Sequence, residues 1–76
     1  MYNATIISER IKGSAKKRGL TVKAVLESSG VNWNFMSSTL QAGSMPKADN
    51  LAKIADQLDC SVDYLLGRTD NPEVNR

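Results

Sequence analysis

From Thr21 to Gln41 the chain reads TVKAVLESSGVNWNFMSSTLQ, and this spacing leaves few architectures open. Thr21 is a good N-cap, and Val22, Val25 and Leu26 form an apolar stripe at helical intervals. The stripe continues to Ser28 or Ser29 before Gly30 stops it. Val31 follows as a plug for a core, and Asn32 can cap a further helix from Trp33 to Gln41. Two short helices joined by so tight a turn cross steeply rather than run side by side. Such a pair cannot bury both apolar faces alone, so other helices must cover it.

The remainder supplies them. Ile7, Ile11 and Ala15 recur at four-residue steps, which predicts an amphipathic helix from about Thr5 to Lys17, ended by Arg18-Gly19. Gly43, Ser44 and Pro46 mark a loop. Leu51, Ile54, Ala55 and Leu58 then form an i, i+3, i+4, i+7 face behind Asp49. Ser61 caps a last short helix, Val62 to Leu66, stopped by Gly67. Five short helices with no strand pattern define an all-α domain over residues 1–69, with 70–76 as a flexible polar tail.

Several function classes drop out on composition. The chain has no histidine and one cysteine, which removes the commonest general base, the usual zinc ligands and any disulfide framework within the chain. We therefore expect no enzyme, no metal site and no cofactor. Neither a membrane-spanning run nor a signal peptide is evident, and the lone thiol suits a reducing cytoplasm. The net charge is only +2, but residues 1–47 hold seven Lys/Arg against two acids, whereas residues 48–76 hold three against six. One face is then suited to a polyanion and the other is not.

On a wheel of about 100° per residue, Phe35, Met36, Thr39 and Leu40 share one side of the Trp33–Gln41 helix. Asn34, Ser37, Ser38 and Gln41 share the other. A solvated face ordinarily carries Lys and Glu; this one is short, uncharged and rich in amides and hydroxyls. Such groups suit close approach to base edges, where Asn and Gln bond adenine bidentately and Ser bonds several bases. Trp33 stands on the boundary, either closing the core or covering a thymine methyl. The second helix of a helix-turn-helix lies in the DNA major groove, so this face is the candidate reader of double-stranded DNA. The N-terminus of the preceding helix, with Thr21, Val22 and Lys23, offers N–H groups to a phosphate. Gly43, Ser44 and Lys47 follow the reading helix as further phosphate candidates. Lys16, Lys17 and Arg18 are expected to add a longer-range field.

RIKGSAKKRGLTVKAVLESSGV, GSMPKADNLAKIADQL and CSVDYLLGRTDN together resemble the phage-repressor Cro/CI family of XRE-type helix-turn-helix regulators. The likeness covers about residues 7–71. It implies a five-helix, lambda-repressor-like domain that binds a palindromic operator as a homodimer, with half-sites about one helical turn apart. By position, base contacts fall on Trp33, Asn34, Ser37 and Ser38, with Gln41 meeting base or phosphate. Phosphate contacts fall on Thr21, Val22, Gly43, Ser44 and Lys47, with Lys23 beside them.

Three positions depart from the family pattern. Val22 replaces a phosphate-binding Gln, Ala42-Gly43 replaces a Gly-Lys pair, and Ala15 with Leu40 replaces an Arg–Glu ion pair. An apolar contact in place of that pair costs little, because buried pairs largely offset their own desolvation. Cys60 sits where members often have Val, implying a core role. Two functions follow as expectations: a repressor of phage or mobile-element type, cytoplasmic and nucleoid-associated, or a protein-interaction module of antitoxin or anti-repressor kind. No small-molecule ligand is implied. The last helix, with Val62, Tyr64, Leu65 and Leu66, is the candidate dimer surface, unless it only closes the core.

Overall fold

A computed structural model of the chain describes residues 3–32, 34–41 and 43–73, and not the side chain of Ser37. Helix α1, Ala4–Lys17, starts one residue earlier than its apolar spacing predicts, because Asn3 is the cap: its Oδ1 accepts from the Ile6 N–H at 2.9 Å. The four-residue stride does what it implies, burying Ile7, Ile11 and Ala15 together with Ala4. Helix α2, Val22–Ser29, opens as expected, with Thr21 Oγ1 accepting from the Ala24 N–H at 3.1 Å. It closes at Gly30, whose φ of 72° is the left-handed turn that a side chain would strain. The Val31 N–H then bonds the Leu26 carbonyl at 3.0 Å, dropping Val31 into the core.

The next element, Phe35–Leu40, differs from the expected α-helix. It is a π-helix, whose ladder reaches back five residues instead of four. Its ladder runs on to the Gln41 N–H, which bonds the Met36 carbonyl at 2.9 Å. Helix α3, Ala48–Leu58, buries Leu51, Ile54, Ala55 and Leu58 as the spacing predicts. Its C-cap is Asp59 at φ 51°, a left-handed conformation that a short polar side chain tolerates. Helix α4, Val62–Leu66, is capped by Ser61, whose Oγ accepts from the Tyr64 N–H at 3.0 Å. Gly67 ends it at φ 84°, where an added Cβ would stand 3.1 Å from Ile6 Cγ2. The turn therefore needs glycine both for its conformation and for its closeness to α1.

The described residues thus form five helices and no strand. Helix α2 lies against α3, while α1 packs on α4 and on the π-helix. One core gathers side chains from all five, with Ile7, Ile11, Ile54 and Leu65 fully enclosed. Ala15 and Leu40 are both buried in it, so the site of the family's ion pair is apolar here. Leu65 is likewise sealed inside and closes the core rather than offering a dimer contact; Val62, Tyr64 and Leu66 are half-buried against it. Contacts with this body extend past residue 69, where the sequence places the start of a tail. The Ser61 N–H bonds the Pro72 carbonyl at 2.9 Å, and Asp70 pairs with Arg10 at 2.9 Å.

Cys60 is buried beside Leu58 and Arg18, and burial raises its thiol above the usual value of 9.0. The nearby Arg18 charge lowers it and Asp59 raises it, both as smaller effects. The folded chain therefore holds the neutral thiol. That contribution is complete below the unfolded pKa and disappears as pH rises through the folded one. The native chain is expected to resist alkylation by iodoacetamide at pH 8, and to react readily once unfolded in urea. Fast alkylation of the native chain would contradict the burial of Cys60.

Candidate nucleic-acid interface

The turn at Gly30 delivers the chain to Asn32, whose Oδ1 accepts from the Asn34 N–H at 2.9 Å while its carbonyl accepts from Phe35. Asn32 thus forms an Asx turn ahead of the reading segment instead of capping it: the N-cap position falls on Asn34, which makes no side-chain cap bond. Phe35 and Leu40 point into the core, and Met36 and Thr39 are half-buried at its edge. This leaves Asn34, Ser38 and Gln41 exposed, so the inward and outward sets divide as the wheel predicts. Trp33 and the Ser37 side chain, both expected among the base-contacting set, lie outside the described residues.

The winding rearranges the outward set. Asn34 and Ser38 line one open groove, together with Asn32 and with Asn50 from α3. Gln41 lines a different groove on the α1 side, with Met36, Leu40, Thr5, Ser8 and Lys12. A ladder of five-residue bonds turns more slowly than an α-helix, so by Gln41 the lag has carried the amide away from Asn34. The single polar face is thus divided: Asn34 and Ser38 stay together, and Gln41 does not join them.

Around this segment stand the phosphate candidates. At the N-terminus of α2, Thr21 Oγ1 takes the Ala24 N–H and the Thr21 carbonyl takes that of Val25. The N–H groups of Val22 and Lys23 precede these bonds and are the donors that the helix end offers outward. The Lys23 side chain is exposed and the Val22 side chain is half-buried on the core. Past the π-helix the Gly43 N–H bonds Leu40 at 3.0 Å and the Ser44 N–H bonds Thr39 at 2.9 Å. Both are spent on ending the helix, so a phosphate contact by Ser44 goes through its hydroxyl. Lys47, exposed at the N-cap position of α3, is the cation on this side.

The basic half of the chain is less available than its composition implies. Arg18 was expected to join Lys16 and Lys17 in a field toward DNA. Instead its Nε donates to the Leu58 carbonyl at 2.7 Å and its Nη2 pairs with Asp59 at 3.1 Å. There it satisfies a carbonyl at the end of α3. Arg10 is also turned inward, donating from Nη1 to the Tyr64 and Thr69 carbonyls and from Nη2 to Asp70. Its guanidinium lies over the Tyr64 ring, 4.3 Å from the centroid. Neither role is visible in the local sequence, because the partners lie 40 to 60 residues away. The exposed cations that remain on this half are Lys12, Lys16, Lys17, Lys23 and Lys47.

Two short helices joined through a left-handed glycine, with uncharged polar side chains exposed on the second, are the features of a helix-turn-helix DNA-binding unit. Residues 10–71 match the Cro/C1-type helix-turn-helix DNA-binding domain, and the chain belongs to that family. It is a family of DNA-binding regulators and not of enzymes. No curated protein and no solved structure gives a significant match. Among the described residues, no helix is long and apolar enough to cross a membrane, and no group of His, Cys, Asp and Glu is placed to hold a metal ion.

Proposed function

We propose that this chain is a sequence-specific transcriptional repressor of phage or mobile-element type. It acts in the cytoplasm, on the nucleoid, and binds a palindromic operator as a homodimer. The DNA-binding unit spans residues 1–69, and 70–76 form its tail. The observation that carries this reading is the exposed, uncharged Asn34–Ser38 pair on the segment after the Gly30 turn, with exposed Lys23 and Lys47 before and after it along the chain. Amide and hydroxyl groups read base edges, and lysines on either side hold the backbone. Asn34, Ser38 and, by position, Trp33 and Ser37 contact bases. The α2 N-terminus at Thr21, Val22 and Lys23 contacts one phosphate run, and the Ser44 hydroxyl with Lys47 another; Gly43, whose N–H is held by the Leu40 carbonyl, drops out of the expected phosphate set. A dimer with such a footprint represses by occupying its site.

Selection from a random duplex pool at two salt concentrations tests this. The chain is expected to enrich a two-fold-symmetric sequence, with affinity falling steeply as salt rises. Asn34→Ala is expected to flatten preference at one base pair per half-site by roughly 5- to 150-fold, the equivalent of about 1–3 kcal/mol. Lys47→Ala should instead weaken binding to all sequences alike and reduce the salt slope by about one. Failure to enrich any sequence, with weak and salt-insensitive binding, would favour a protein-interaction module on the same fold. A reporter placed downstream of the selected site should lose transcription when the chain is present; a gain would make it an activator.

A further inference from the structure

Winding and sequence disagree at the reading segment, and the disagreement falls on one residue. In an α-helix Gln41 follows Asn34 by seven positions and so points within about 20° of it, in the middle of the polar face. In the π-helix it stands in the other groove, beside Thr5, Ser8 and Lys12 of α1. The segment already contains bonds of both kinds. The Ser38 N–H reaches the Asn34 carbonyl, four residues back, at 2.7 Å, while the Gln41 N–H reaches Met36, five back, at 2.9 Å.

We propose that Phe35–Leu40 is a two-state element, π-wound in the free chain and α-wound on a duplex, where Gln41 joins Asn34 and Ser38 as a base-reading residue. This rests on the DNA-reading function proposed above. The core does not forbid the change: either winding keeps Phe35, Met36, Thr39 and Leu40 inward. Chain is available to absorb it as well. Residues 44–47 lie outside any helix, with Ser44, Met45 and Lys47 exposed. The bonds that must be exchanged are the five-residue ladder within Phe35–Leu40, which runs on to Gln41 and Met36, and the Gly43-to-Leu40 and Ser44-to-Thr39 bonds at its end. A duplex supplies the differential affinity that a population shift requires. Only the α winding sets the Gln41 amide beside Asn34, where it bonds a base bidentately. Here the π winding holds one reading group in reserve.

The test is NMR of the full chain, free and bound to the duplex that it enriches most from a random pool. In the free chain, the Gln41 amide proton should lie close to Met36, with five-residue contacts along the segment. In the complex, four-residue contacts from Ser37 to Gln41 should replace them. Gln41→Ala should then cut discrimination at one base pair by about tenfold, with the free fold unchanged. Five-residue contacts persisting in the complex, or four-residue contacts already present in the free chain, would overturn the proposal. So would unchanged base preference in Gln41→Ala while Asn34→Ala and Ser38→Ala alter theirs. If all three leave preference unaltered, the DNA-reading function falls, and the two-state element with it.

Discussion

Ile54→Ala is expected to lose about 3–4 kcal/mol of folding stability. Ile54 sits in the middle of α3 and is fully enclosed. Truncation removes three methyl or methylene carbons and leaves a cavity that α2 and α3, packed against each other, cannot close. A chain of 76 residues has about 4–11 kcal/mol in total, so this one side chain accounts for about a quarter of it or more. The readout is the urea midpoint, which should fall sharply while the slope stays near the parent value. Leu20→Ala is the control, since Leu20 is 42% exposed and should change stability by no more than about 0.5 kcal/mol. Equal effects from the two would mean that α3 is not packed as described.

Arg10→Met is expected to lose about 2–3 kcal/mol, and the decisive partners are the carbonyls rather than the carboxylate. The Arg10 side chain is 22% exposed, whereas Asp70 is fully exposed, so solvent screens the ion pair and it contributes little. The Tyr64 and Thr69 carbonyls lose a charged donor when the guanidinium goes, and Tyr64 loses the group stacked on its ring. Arg10→Lys should restore only part of the loss, because an ammonium cannot span this fork of acceptors. Asp70→Asn should barely move the midpoint, and raising salt to 1 M should leave the Arg10→Met deficit in place. A deficit that vanishes in salt would assign the stabilisation to the ion pair instead.

Much of the fold is legible in the sequence where its causes are local. Thr21 and Ser61 cap because a hydroxyl needs only the N–H three residues on, and Gly30 and Gly67 stop helices because their own conformation permits it. The Ile7–Ala15 and Leu51–Leu58 stripes announce their burial through spacing alone. Asn3 escaped because the stripe behind it begins at Ile7, and Asp59 because glycine is the usual stop signal. The roles of Arg10 and Arg18 depend on carbonyls that only the tertiary fold brings near, so counting charges along the chain overstated the cationic face. The division of the reading face is of the same kind. FMSSTL carries an ordinary helical pattern, and nothing local distinguishes a four-residue ladder from a five-residue one. What the pattern did predict, which side chains turn inward, is what both windings share.

The Arg10 fork also ties together parts of the chain that are synthesised 54 to 60 residues apart. A ribosome emits α1 before Thr69 and Asp70, which follow all five of the described helices. Until then the guanidinium has none of these partners, and the groove that Gly67 shapes against Ile6 does not exist. A chain that stops short of Thr69 therefore lacks the contacts that join α1 to the turn after α4.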